Sequence, residues 1–107
     1  KKKLLGVKQD TLDLYTAESQ QVTNEMVMGL KKALNADISV ATTGLAGAGG
    51  SETSEKPVGT IFVSFLYDGK AEEFREVFKG NGQSMLKQFT EYVLEKLKGI
   101  VEEHYNR

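Results

Sequence analysis

The chain has 107 residues, 14 Lys and Arg against 15 Asp and Glu for a formal charge of -1, and no cysteine; that length suits one domain, residues 1–107, with a single core. The balanced charge gives no general pull towards nucleic acid or an anionic membrane, and the missing cysteine excludes disulfides, thiolate zinc sites and cysteine nucleophiles within the chain. No apolar run approaches the ~20 residues of a membrane span and no signal-like stretch follows the opening lysines, so a cytoplasmic domain with a small-molecule partner is expected.

The sequence opens inside what reads as a structured stretch, Leu4-Leu5-Gly6-Val7, which suggests that residues precede Lys1. From Asp10 to Tyr15 a short helix or turn is expected, with Leu12 and Tyr15 on one side. Ser19 suits a helix N-cap, because its hydroxyl can accept from a free first-turn amide, and Val22, Met26, Gly29 and Ala33 follow at helical spacing. This predicts a helix over 20–35, closed by a left-handed Asn35. Gly29 falls on the apolar stripe, where a missing side chain permits a close crossing against a sheet.

Asp37 to Thr43 is rich in β-branched and small residues and predicts a strand that runs straight into a glycine-rich segment, Thr43-Gly44-Leu45-Ala46-Gly47-Ala48-Gly49-Gly50. Val58 to Leu66 is nearly continuous in apolar residues, as a central strand would be. Asp68-Gly69 then supplies a favoured two-residue hairpin turn. The returning strand, Ala71 to Phe78, alternates Phe74 with Glu73 and Arg75 and so reads as an edge. From about Gln83 to Tyr105, Leu86, Phe89, Val93, Leu97 and Ile100 recur at spacings of three and four, predicting a long amphipathic helix. These elements predict one layered α/β unit, with a βαβ crossover from an earlier strand.

The glycine segment has the properties of an anion site: residues without Cβ let backbone amides approach a ligand, and the loop leaves the carboxyl end of a strand. Its spacing matches neither a phosphate-binding P-loop nor a dinucleotide fingerprint, and a strand rather than a helix follows it. Two readings therefore stand side by side, an anion-binding loop and a sharp flexible connection. Lys56-Pro57, which holds the one proline, reads first as a turn leading into the next strand, since proline is tolerated at a strand's first position. As a function, Lys56 offers a point charge to a phosphate. His104 has no second histidine and no cysteine with which to share a metal, and reads as a surface residue. Glu52 and Glu55 read as solvated, with no catalytic role.

Taken in order, K-x-x-L-L-G-V over residues 1–7, E-M-x-x-G over 25–29, A-D-I-S-V-A-T-T-G-L-A-G-A-G-G over 36–50 and E-K-P-V-G-T over 55–60, with the closing helix, resemble the C-terminal domain of the competence/damage-inducible protein CinA. The resemblance spans nearly the whole chain. It implies a three-layer α/β/α sandwich with a mixed sheet, of which this chain supplies the C-terminal strands and helices. It also implies hydrolysis of the amide of nicotinamide mononucleotide to nicotinate mononucleotide and ammonia, and a homodimer; nothing in the chain requires a metal or organic cofactor. The implied substrate-binding residues are Thr43, Gly44, Ala46, Gly47, Gly49, Gly50 and Lys56. Lys1 matches the lysine of the family's Y-S-N-x-x-K stretch, a catalytic position. The family's nucleophile segment, resembling A-E-S-C-T-G-G, has no counterpart in this chain. Ala48 stands where the family loop has proline, and Gly82 and Leu86 stand where it has two arginines. An arginine is the natural bidentate clamp for a phosphate, which glycine and leucine cannot replace. Alongside the enzyme reading stands a second, a non-catalytic module that binds a nucleotide or assembles with a partner.

Overall fold

The structure, a computed structural model, describes residues 6–47 and 50–105. Lys1, Ala48 and Gly49 lie outside the described residues. The elements are α1 (Gln9–Tyr15), α2 (Gln20–Leu34), β1 (Ile38–Gly44), β2 (Thr60–Tyr67), β3 (Lys70–Val77) and α3 (Gly82–His104).

Local chemistry sets most of these boundaries. The Ser19 hydroxyl accepts from the Val22 amide at 3.2 Å and starts α2; Asn35, at φ 49° and ψ 41°, ends it in the left-handed conformation. Asp68 and Gly69 both have positive φ, 50° and 71°, which the tight turn between β2 and β3 requires. Asn81 accepts from the Ser84 amide at 2.8 Å and caps α3. The cap of α1 is different in kind, because Lys8 at its N-cap position has no side-chain acceptor to offer. A carboxylate from α2 takes over: Glu25 accepts from the Lys8 amide at 2.8 Å and from the Thr11 hydroxyl at 2.5 Å. Burial works against its charge, but those two donors and the Lys8 charge outweigh it and hold its carboxyl below the usual range.

The three strands form an antiparallel sheet in the order β1-β2-β3, with Ile38 opposite Tyr67 at one end of the first pair and Thr60 opposite Val77 in the second. All pairing among the described residues is thus antiparallel. β2 is central and buried on both faces. Ile61, Val63, Phe65 and Tyr67 point to one side, where they join Met85, Phe89 and Ile100 of α3. On the other side Val22, Met26 and Val27 of α2 meet Ala41, with Leu12 and Leu66 at the margin. Helix, sheet and helix therefore form three layers, as the family resemblance implies.

Two apolar positions fall elsewhere than periodicity places them. Leu86 is 55% exposed and Met85 is buried in its stead, so the buried stripe of α3 begins one residue earlier than expected. Tyr15 is 45% exposed, whereas Leu12 is half-buried against the α2 core. Gly29 borders a cavity of about 690 Å³ together with Glu25, Lys31 and Leu66. His104 is not a bare surface residue: its ring stacks edge-on against the buried Tyr67 at 5.0 Å between centroids.

Candidate functional site

The glycine segment begins as a continuation of the β1–β2 ladder. The Leu45 amide donates to the Thr60 carbonyl at 2.9 Å, and the Gly59 amide donates to the Leu45 carbonyl at 2.6 Å. Leu45 is buried and anchors the start of the loop. Gly44 is required by shape, since a Cβ there would sit 2.7 Å from the ring of Phe89. Gly59 is required twice over: its φ is +101°, and a Cβ would lie 1.9 Å from the Phe78 carbonyl oxygen, which belongs to the chain leaving β3. Gly47 meets nothing within 4 Å. Packing thus explains Gly44 and Gly59, and leaves Gly47 open to an incoming group.

Around this loop the chain presents two different surroundings. At its start, the loop meets the beginning of α3: a Cβ on Gly82 would lie 3.4 Å from the Ala46 carbonyl oxygen. Thr43 and Gly44 border a groove of about 320 Å³ with Phe89, Val93 and Leu94, and Leu86 lines the same groove. Positions 82 and 86 therefore stand beside the loop, at the positive end of a 23-residue helix with no acidic residue in its first turn. At its far end the loop meets acids. A Cβ on Gly50 would be 3.8 Å from Oε1 of both Glu18 and Glu52, and Ser51 donates to Glu18 at 2.7 Å. An anion is favoured at the first end and repelled at the second.

The expected ligand residues are not gathered at one point. The Thr43 hydroxyl turns inward to the Thr23 hydroxyl at 2.9 Å, and Thr23 itself donates to the Ser19 carbonyl at 2.6 Å, so Thr43 is the donor of the pair. It ties β1 to α2. Lys56 also points away from the groove: its ammonium donates to the Thr16 hydroxyl and to the Glu18 carbonyl, each at 2.6 Å. Thr16 has φ 68° and ψ 168°, a strained conformation for a β-branched residue, and is pinned by Lys56, by the Ser19 hydroxyl on its carbonyl at 3.0 Å and by its own amide on Leu12. Gly44 and Gly47 are exposed, Ala46 is half-buried against the α3-side core, and Lys1 and Gly49 fall outside the described residues.

Spacing gave no sign of the Glu25 cap or of the Lys56 anchor, because each joins segments distant in sequence. Among the described residues no group of three or more His, Cys, Asp or Glu is placed to hold a metal ion, and no helix is long and apolar enough to cross a membrane.

A family model described as the CinA C-terminal domain matches residues 1–101. A putative competence-damage inducible protein of Clostridioides difficile (strain 630) is 39% identical over 98 residues, which cover 92% of this chain and 23% of that protein. The nicotinamide-nucleotide amidohydrolase PncC of Shigella flexneri is 40% identical over 99 residues, covering 91% of this chain and 59% of that protein. Among solved structures, the competence damage-inducible protein A (ComA) of Klebsiella pneumoniae subsp. pneumoniae MGH 78578 superposes with a TM-score of 0.87 at 29% identity, over 97% of this chain and 63% of that one. The chain thus spans under a quarter of the first relative and under two thirds of the second.

Proposed function

The chain belongs to the CinA C-terminal domain family, and from that footing we propose that it is the loop-bearing part of an amidohydrolase that converts nicotinamide mononucleotide to nicotinate mononucleotide and ammonia. Relatives named nicotinamide-nucleotide amidohydrolase support the reaction class. The observation that carries the site is the position of residues 82 and 86. These are the two places where the family resemblance expects arginines, and both stand beside the start of the glycine loop.

In this reading the phosphate or the developing oxyanion of the substrate lies between the amides after Leu45 and the first turn of α3, where backbone dipoles favour negative charge. Hydrolysis needs a nucleophile to attack the carboxamide carbon, expel ammonia and leave an acyl group for water to release. No serine of this chain matches the family's nucleophile segment, so that group comes from outside these 107 residues. With Gly82 and Leu86 in place of two arginines, two bidentate contacts are gone, and substrate is held more weakly.

The test is a coupled ammonia assay on the full-length protein. Release of ammonia from nicotinamide mononucleotide supports the proposal; none above background sinks it. The second reading, a module that binds without turnover, is favoured specifically by the neutral residues at 82 and 86. Calorimetric titration with both mononucleotides separates the two: binding without ammonia release selects the module.

A further inference from the structure

On the α2 side of the sheet, opposite the groove that Leu86 lines, a cavity of about 340 Å³ opens between Tyr15, Gln20, Glu55, Lys56, Phe62 and Arg75. We infer that this cavity is a binding site for a small molecule carrying an oxyanion, a phosphate or a carboxylate, held between Lys56 and Arg75.

Both cations reach it from different elements, and neither is neutralised. Arg75 comes from β3, where it pairs with Phe62 of β2, and its guanidinium carbon lies 5.5 Å from the centre of the Phe62 ring. It donates to the Glu55 backbone carbonyl. Lys56 donates to the Thr16 hydroxyl and the Glu18 backbone carbonyl. Every one of these acceptors is uncharged. Among the described residues the one ion pair is Lys98 with Glu102, so both cations lack a carboxylate partner in a chain that holds 15 acids.

The hydrogen bonds orient the two groups without consuming them. An ammonium has three N–H bonds and a guanidinium five, so Lys56 keeps one and Arg75 keeps several for a ligand. The guanidinium lies over the Phe62 ring, and its planar fork suits bidentate recognition of an oxyanion. The formal charge of the lining is positive, Lys56 and Arg75 against Glu55, and Glu55 contacts Arg75 through its backbone. The first turn of α2 adds no acid of its own. The half-exposed ring of Tyr15 at the rim offers a flat apolar surface for the rest of the molecule. The volume is within the range of small-molecule sites, which begins at about 300 Å³.

This site goes beyond the amidohydrolase reading and does not depend on it. The experiment is titration of the full-length protein with inorganic phosphate, acetate, ribose 5-phosphate and ribose, followed by amide chemical shifts around Arg75 and by calorimetry. Saturable shifts with an oxyanion and none with ribose are expected, the stronger of phosphate and acetate naming the natural group. Arg75→Gln should weaken binding about tenfold, the size expected when one charge-assisted contact is lost, and Arg75→Lys should recover part of it. Arg75 is exposed on an edge strand, so these variants should keep the fold, as circular dichroism will verify. Absence of saturable binding, or equal affinity in Arg75→Gln, overturns the site. Ammonia release is read separately, so either proposal can fail while the other stands.

Discussion

Several individual residues carry the fold through one contact each, and these give the sharpest predictions. Gly59 must have no Cβ, because the Phe78 carbonyl occupies its place 1.9 Å away and φ is +101°. Gly59→Ala should cost about 2–4 kcal/mol, since backbone strain and a steric clash add; equilibrium urea unfolding measures it, and a change below ~0.5 kcal/mol would refute the clash. Gly47→Ala meets nothing within 4 Å and should leave stability unaltered. If the loop holds the substrate, the same change should lower affinity in calorimetry. Glu25→Gln keeps the shape of the α1 cap but loses its charge, and should destabilise by about 1–2 kcal/mol at neutral pH. The Glu25 carboxyl is held low, so its contribution is present above its ordinary pKa and lost as pH falls through the folded value. The difference between wild type and Glu25→Gln should accordingly shrink in acid. Tyr67 runs the other way: its hydrogen bond to Glu72, then burial, push its hydroxyl up to about 12. A raised folded pKa means stability that is complete below pH 10 and disappears as pH climbs towards 12. Tyr67→Phe should remove that alkaline loss from the unfolding profile.

At the level of elements, the two sheet edges differ in kind. β3 presents Lys70, Glu72, Glu73, Arg75 and Glu76, charges that discourage another strand from pairing with it. β1, Ile-Ser-Val-Ala-Thr-Thr-Gly, carries no charge at all, and beside it Leu86 and Leu94 of α3 are 55% and 57% exposed. An uncharged edge next to apolar side chains is an invitation to associate. The 107-residue chain alone should therefore self-associate at concentrations where a Leu86→Lys, Leu94→Glu double variant stays monomeric. Sedimentation velocity decides this, and identical profiles would refute it. The elements themselves were legible in the sequence to within two residues, as α2 and the β2–β3 turn show. The register of α3 was less so: Met85 and Leu86 are neighbours with similar hydropathy, and only the direction in which the sheet approaches chooses between them.

For the molecule as a whole, the residues expected to bind substrate are divided between the two faces of one sheet. The start of the glycine segment, Thr43 and Gly44, borders the groove beside α3, while Lys56, expected beside the loop, crosses to the α2 side to hold Thr16 and Glu18. Lys56→Met should thus act on stability as much as on any ligand, by about 1–2 kcal/mol, because a carbonyl and a hydroxyl lose their donor. Sequence by itself determined the two caps of α2, the hairpin turn and the central strand and, through the paired T-G-x-A-G-x-G-G and K-P-V-G-T motifs, the family and with it the three layers. All of these rest on bonds or periodicities spanning a few residues, or on patterns of residue type. What only the tertiary structure decided were the contacts that join distant segments: Glu25 to Lys8, Lys56 to Thr16, Gly59 against Phe78, and positions 82 and 86 beside the loop. The reason is physical. A hydroxyl finds the amide three residues on wherever the helix forms, but which of many lysines meets a given carbonyl forty residues away is fixed only when the sheet and its two helices have closed around their cores.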